Sequence, residues 1–228
     1  MMPIVNIFAT PFEDIKTHLE VAVYIAKTDH NEHIKLKNHI NHVLDKSIEY
    51  KCWQNAMPTC IPTILSKYQR DYGKYIKSHT NFLDADKEIN KNGIILPQGQ
   101  ILFRGSAWCC ESAKIITQKP ISTTLCPHIA IMEAKGCMGY HDSYYDKGYI
   151  DICVIRIVDH QTKAFIFKPR RTKLGHEKEV LLGSGVTLEI RSRNLVSENF
   201  TLSKSDPINI GTTLSKQGCI YVTEVDAY

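Results

Sequence analysis

The chain changes its periodicity once, near Asn92-Gly93, and that change limits what it can fold into. Ahead of it, apolar residues recur at helical spacing. Ile15, Leu19, Val21, Ala22, Val23 and Ile25 crowd one broad face of a helix over Phe12 to Lys27. A second helix over Asn31 to Ile48 carries Ile34, Leu36, Ile40, Val43 and Leu44, with Asp29 or Asn31 as its cap. A third follows Pro62, with Ile64, Leu65, Tyr68, Tyr72, Tyr75 and Ile76 on one side and Gly73 interrupting it. Beyond Gly93, short β-branched and aromatic runs alternate with turn residues: 100–104, 121–124, 149–158, 164–168, 177–182, 187–193 and 219–225. About seven strands, with helical stretches at Trp108 to Gln118 and Pro127 to Lys135, predict an α+β fold of packed sheets behind a helical segment. At 228 residues this is one domain, with residues 1–92 helical and 93–228 β-rich.

Composition narrows the function classes. A chain 43% hydrophobic and 23% charged is neither disordered nor a rod. Its formal charge of +4 is too mild to argue for nucleic acid or an anionic membrane as partner. No run approaches the roughly 20 apolar residues of a membrane helix. The start, Met1 to Phe12, has no basic region and is broken by Pro3, Asn6 and Pro11, so a cleaved export signal is not expected. Eight cysteines lie outside any CxxC pairing, which points to reduced thiols in a cytosol-like compartment. An effector acting inside another cell's cytosol has the same signature.

Three short strings carry chemistry. Ile101-Leu102-Phe103-Arg104-Gly105 ends an apolar strand on an arginine. That arginine reads either as a surface cation at a strand exit or as a planar guanidinium set to grip phosphate. Gly105 would let a ligand approach the backbone. Ile121-Ser122-Thr123-Thr124 places hydroxyls on a strand, where structure alone accounts for them, or where Ser122 orients a polar group. Glu177-Lys178-Glu179-Val180-Leu181-Leu182 reads as an interior strand with two carboxylates at its rim. On one strand face they stand about 7 Å apart, able to stabilise a developing cation and to position a nucleophile.

In this order and these strand contexts, the three strings resemble the mono-ADP-ribosyltransferases of the arginine–serine–glutamate class, which include bacterial toxins and effectors and phage enzymes. Leu181 to Ile190 is similar to the family's strand–turn–strand after its catalytic glutamate, and Ile220 to Val225 to its closing strand. The likeness spans about Gly93 to Tyr228 and departs at Ser-Thr-Thr, where Ser-Thr-Ser is commoner. It implies an ADP-ribosyltransferase-like fold of two small packed β-sheets with an N-terminal helical segment. It implies NAD as co-substrate, held by Arg104, Gly105, Ser122, Thr123 and Glu179, and no metal.

The implied roles follow the chemistry of a cationic glycoside losing a neutral leaving group through an oxocarbenium-like state. Arg104 would hold the pyrophosphate or neighbouring ribose, and Gly105 the nicotinamide carboxamide. Ser122 would brace Glu179, which accepts from the ribose 2′-hydroxyl and stabilises the sugar cation. Glu177 would face the acceptor; in the family a glutamate at this place goes with arginine as target. The basic run Lys168 to His176, with four formal positive charges including Arg170 and Arg171, reads as a solvated loop or as a surface recognising an acidic target protein. Nucleic acid as the modified partner is less expected, and a membrane is not.

Among Tyr140, Tyr144, Tyr145 and Tyr149, one ring could stack on nicotinamide, although such tyrosines commonly pack. His128, His141 and His176 lack metal-ligand spacing, and neither Cys109-Cys110 nor Cys126 with His128 has the context of a thiol nucleophile. Competing readings are an NAD glycohydrolase using the same residues with water, and a non-catalytic module binding a partner. The site of action is expected to be cytosolic, by delivery into a host or from a phage.

Overall fold

Helix starts are set by side chains that satisfy first-turn N–H groups. In the computed structural model, which describes residues 1–70, 79–108, 112–134, 142–159, 161–168, 175–206, 208–209 and 212–228, Thr17 and Glu20 form a reciprocal capping box. Helix α1 (His18–Lys27) therefore begins after the expected Phe12. Asp29 accepts from the backbone N–H groups of Asn31 and Glu32 and opens α2 (His30–Lys46). Ser47, in extended conformation, ends α2 and caps α3 (Ile48–Ala56), so the second expected helix stops short of Ile48. Helices α4 (Thr63–Arg70) and α5 (His79–Asn92) complete this segment; Tyr72, Gly73, Tyr75 and Ile76 lie outside the described residues.

The β-rich part contains β1 (Ile94–Ile95), β2 (Ile101–Ser106), β3 (Lys114–Ile116), β4 (Ile121–Thr124), α6 (Pro127–Ala134), α7 (Asp142–Lys147), β5 (Tyr149–Ile157), β6 (Lys163–Ile166), β7 (Glu179–Leu182), β8 (Thr187–Ser205) and β9 (Thr213–Ala227). These strands form a single nine-stranded sheet in the order β1-β6-β7-β4-β2-β5-β9-β8-β3. Two separate sheets were the expectation. The two halves are joined by one register pair, Phe103↔Thr124, between β2 and β4. Next to it, the Arg104 guanidinium on β2 donates to the Ser122 carbonyl on β4. All pairings are antiparallel except β5 with β9.

Two further expectations need correction. Between Ser112 and Gln118 the chain forms the edge strand β3 rather than a helix, because Ile115 and Ile116 extend along β8. Glu177 does not share a strand with Glu179. It ends a short 3-10 turn (Gly175–Glu177), and Lys178, with a left-handed φ of 51°, breaks the extended path between them.

Helix α6 lies on β2 and β5, and α1 packs against β5, β8, β9 and α6. The helical segment and the sheet share one core, in which Leu36, Trp53, Leu65, Phe103, Ile152, Phe165 and Leu181 are buried. Hydrogen bonds cross the junction as well. Gln100 exchanges bonds with the backbone of Val5, Trp53 Nε1 donates to the Pro3 carbonyl, and Lys168 donates to Met57 and Pro58. Among the described residues no helix is long and apolar enough to cross a membrane.

Candidate active site

Strands β2, β4 and β7 bring the three sequence strings together. Arg104 Nη1 donates to the Ser122 carbonyl oxygen at 2.5 Å. The Ser122 hydroxyl in turn donates to the Glu179 carboxylate, which is 5% exposed. Arg104, Ser122 and Glu179 are thus one connected group. Burial pushes the Glu179 carboxyl above the usual range, against the hydrogen bonds from Ser122 and Gln69 and the charge of Arg104.

Glu177 sits beside this group, partly buried, its main-chain carbonyl held by the Thr124 hydroxyl at 2.6 Å. Its carboxyl is pushed up to about 8, first by burial and then by the charges of Glu179 and Glu133. Thr123 faces elsewhere: its buried hydroxyl donates to the Val180 carbonyl at 2.6 Å and fastens β4 to β7. At Gly105 the close neighbour is helix α6 rather than a ligand. A Cβ there would lie 2.0 Å from the Ala130 carbonyl oxygen and 2.7 Å from the Ala134 nitrogen. Arg170 and Arg171 lie outside the described residues, as do Tyr140, His141 and Cys109-Cys110.

Three participants were not expected from the sequence. Gln69, on α4, donates its amide to Glu179 Oε2 at 2.7 Å. Glu133, on α6, has its carboxyl raised to about 7 by burial and by Glu179, with Arg104 opposing. Lys119 feels the charge of Arg104, and burial together with that charge holds its ammonium below the usual range. Glu133 had a legible signal, since it is a lone carboxylate after the apolar run Ile129 to Met132. Gln69 had none.

The segment after Gly105 is fixed from behind. Asp151, fully buried, accepts from the Trp108 N–H (2.8 Å), the Thr223 hydroxyl (2.7 Å) and Arg193 Nε (2.8 Å). Arg193 is itself stacked 3.6 Å from the Tyr221 ring centroid, and the Tyr149 hydroxyl donates to the Trp108 carbonyl. Tyr149 is therefore a packing residue, and Tyr145 lies under Lys204 and Lys216. Burial pushes up the thiol of Cys126 and disfavours its thiolate. His176 is exposed. A surface cavity of about 280 Å³, lined by Asn90, Asp159, Lys163, Ser184 and Tyr228 among others, shares no residue with the Arg104–Glu179 group.

Chemically, the group places two cations beside three carboxyls. Arg104 and Lys119 suit an anion such as a pyrophosphate, and the carboxyls suit a positive charge next to it.

Compared by sequence, the chain matches no protein-family model and no curated protein. Solved structures do resemble it. The ADP-ribosyltransferase Vis, solved in complex with the M6 inhibitor, superposes with a TM-score of 0.52 at 10% identity, covering 91% of this chain and 89% of that one. Plx2a, an ADP-ribosyltransferase toxin from Paenibacillus larvae, gives a TM-score of 0.45 at 10% identity over 93% of this chain and 98% of that one. The enzymatic component C2-I of the Clostridium botulinum C2-toxin gives 0.43 at 12% identity over 78% of this chain, which spans only 46% of C2-I. The likeness to Vis shows that the chain has the fold of an ADP-ribosyltransferase.

Proposed function

We propose that the protein transfers ADP-ribose from NAD to an arginine side chain of a target protein, releasing nicotinamide. The observation that carries this reading is the connected group itself: Arg104 bonded to Ser122, and Ser122 to a buried Glu179, with Glu177 alongside. The ADP-ribosyltransferase fold supports it.

NAD fits this donor set. The Arg104 and Lys119 cations take the pyrophosphate, and the Gly105 backbone takes the nicotinamide carboxamide. Glu179, braced by Ser122, accepts from the ribose 2′-hydroxyl and faces the positive charge that grows on the sugar as the bond to nicotinamide breaks. Thr123 contributes by holding β4 to β7, which keeps Ser122 and Glu179 in register.

Glu177 is assigned to the acceptor. Among the described residues, burial, Glu179 and Glu133 all oppose its charge and hold its carboxyl up at about 8. An arriving guanidinium reverses that balance. The carboxylate then ionises, orients the arginine and takes its proton as the new C–N bond forms. The Arg170–Arg171 segment is proposed to meet an acidic surface of the target, and the site of action is proposed to be a host cell's cytosol.

The test is incubation with labelled NAD and cell lysate, with mass-spectrometric mapping of the modified side chain. ADP-ribose on arginine is the expected result. Replacing Glu179 by Gln should lower both transfer and nicotinamide release by roughly 10²–10³-fold. Glu177→Gln should cut transfer far more than release. Equal loss of both activities in the Glu177 variant would argue against this division of roles.

A further inference from the structure

We propose that Gln69 is a positioning residue of the reaction: helix α4 delivers its side-chain amide to the Glu179 carboxylate and fixes both the orientation and the charge of that group. The inference rests on the reading of Glu179 as the carboxylate that faces the sugar.

Gln69 Nε2 donates to Glu179 Oε2 at 2.7 Å, across 110 positions of chain. Gln69 is 7% exposed and Glu179 is 5% exposed, so water does little to substitute for the bond. The helix is not free to drift. One residue earlier, the buried Tyr68 donates its hydroxyl to the Pro120 carbonyl at 2.8 Å, immediately ahead of β4. Leu65 is buried one turn back on the same helix. The strand that supplies the Ser122 donor and the helix that supplies the Gln69 donor are therefore tied to each other.

Among the described residues, the charged and titratable groups bearing on Glu179 come from different elements. Arg104 on β2 favours its ionised form, with Lys119 beside that arginine. Glu133 on α6 and Glu177 in the preceding turn oppose it. Burial opposes it most. Hydrogen bonds from Ser122 and Gln69 to the ionised carboxylate counter that burial, and a carboxylate accepts up to about four hydrogen bonds, so the Gln69 amide leaves room for a substrate hydroxyl. Without Gln69, one donor of two is lost and the carboxylate is free to turn.

The experiment uses the full chain as wild type, Gln69→Leu and Gln69→Asn, the second keeping a polar group one methylene too short to reach. Carboxyl ¹³C NMR of glutamate-labelled protein, with the Glu179 resonance identified by Glu179→Gln, follows its titration directly. In both variants it should move up by about one to two pH units. The acid limb of kcat for nicotinamide release should move up by the same amount, with KM little changed and rate recovered at alkaline pH. A merely structural role lowers the rate at every pH and leaves the titration in place, and that result in a folded variant overturns the proposal. If Gln69→Leu does not fold, Gln69→Asn decides alone. No nicotinamide release from wild type at any pH sinks the transferase reading and the catalytic part of this one with it. The titration still shows separately whether Gln69 governs the carboxylate.

Discussion

At the scale of single residues, the site is defined by carboxyls that the fold makes reluctant to ionise. Glu133 and Glu177 are raised from 4.5 to about 7 and about 8, in both cases chiefly by burial. The folded protein thus keeps protons that the unfolded chain has given up from about pH 4.5 upward. Stability from these groups is fully present below that value and is lost as pH rises through about 7 and 8, because the unfolded state then binds fewer protons than the folded one. An amide carries no such burden. We expect Glu177→Gln to melt at the wild-type temperature at pH 5 and at a higher temperature at pH 8.5, as read by thermal unfolding followed by circular dichroism. A variant that loses the same stability as wild type between those two pH values would show that Glu177 titrates normally. The same carboxyl that costs stability when charged is the one proposed to receive a guanidinium, so its instability is a reservoir that a cationic acceptor relieves.

At the scale of elements, the chain is legible where local chemistry decides and opaque where distant segments meet. The strand at 121–124 and the helix from Pro127 follow directly from β-branched and apolar runs, and β7 is buried along its whole length as Val180-Leu181-Leu182 implied. Arg104, Ser122 and Glu179 were each ambiguous alone, and stood out only as an ordered set of strand strings resembling a known family. The split between Glu177 and Glu179 was not. It depends on the left-handed backbone of Lys178, a residue with no glycine-like signature, whose buried ammonium reaches Asp45 on α2 at 3.2 Å. Nor was the length of β8 and β9, which run on as a two-stranded ribbon past the edges of their neighbours. Gly105 shows how an element-scale contact alters the reading of a residue. Its missing side chain makes room for α6 against β2, with backbone atoms of Ala130 and Ala134 where a methyl would stand. Gly105→Ala must therefore push the helix off the strand, and chemical denaturation should show a loss of about 1–3 kcal/mol or somewhat more. Since Glu133 rides on that helix and Arg104 is the next residue in the strand, nicotinamide release should fall in the same variant under conditions where it is still folded.

At the scale of the whole molecule, the question is whether residues 1–92 form a detachable helical module or part of the catalytic unit. The sequence divides there, but the packing does not. Val5 is tied to Gln100, Met57 lies against the Ile166 backbone N–H, Lys178 meets Asp45, and Asp86 accepts from both the backbone and hydroxyl of Ser184. Apolar residues from both parts share one contiguous core, so removing the first would expose the faces of β5, β6, β8 and β9 that its helices cover, as well as α6. Burial of this kind is worth about 25 cal/mol for each Å² of apolar surface, and a domain's net stability of about 5–15 kcal/mol cannot survive losing a large share of it. The full chain should therefore unfold in one transition, with far-ultraviolet circular dichroism and tryptophan fluorescence coinciding, since Trp53 reports on the helical part and Trp108 on the sheet. Residues 93–228 expressed alone should lack a cooperative transition and should not release nicotinamide from NAD. Two resolved transitions in the full chain, or a folded and active fragment, would mean that the helices merely cover a self-sufficient core. A single transition makes the helical segment and the sheet one cooperative unit, in keeping with the hydrogen bond that Gln69 sends across their junction to the buried Glu179 carboxylate.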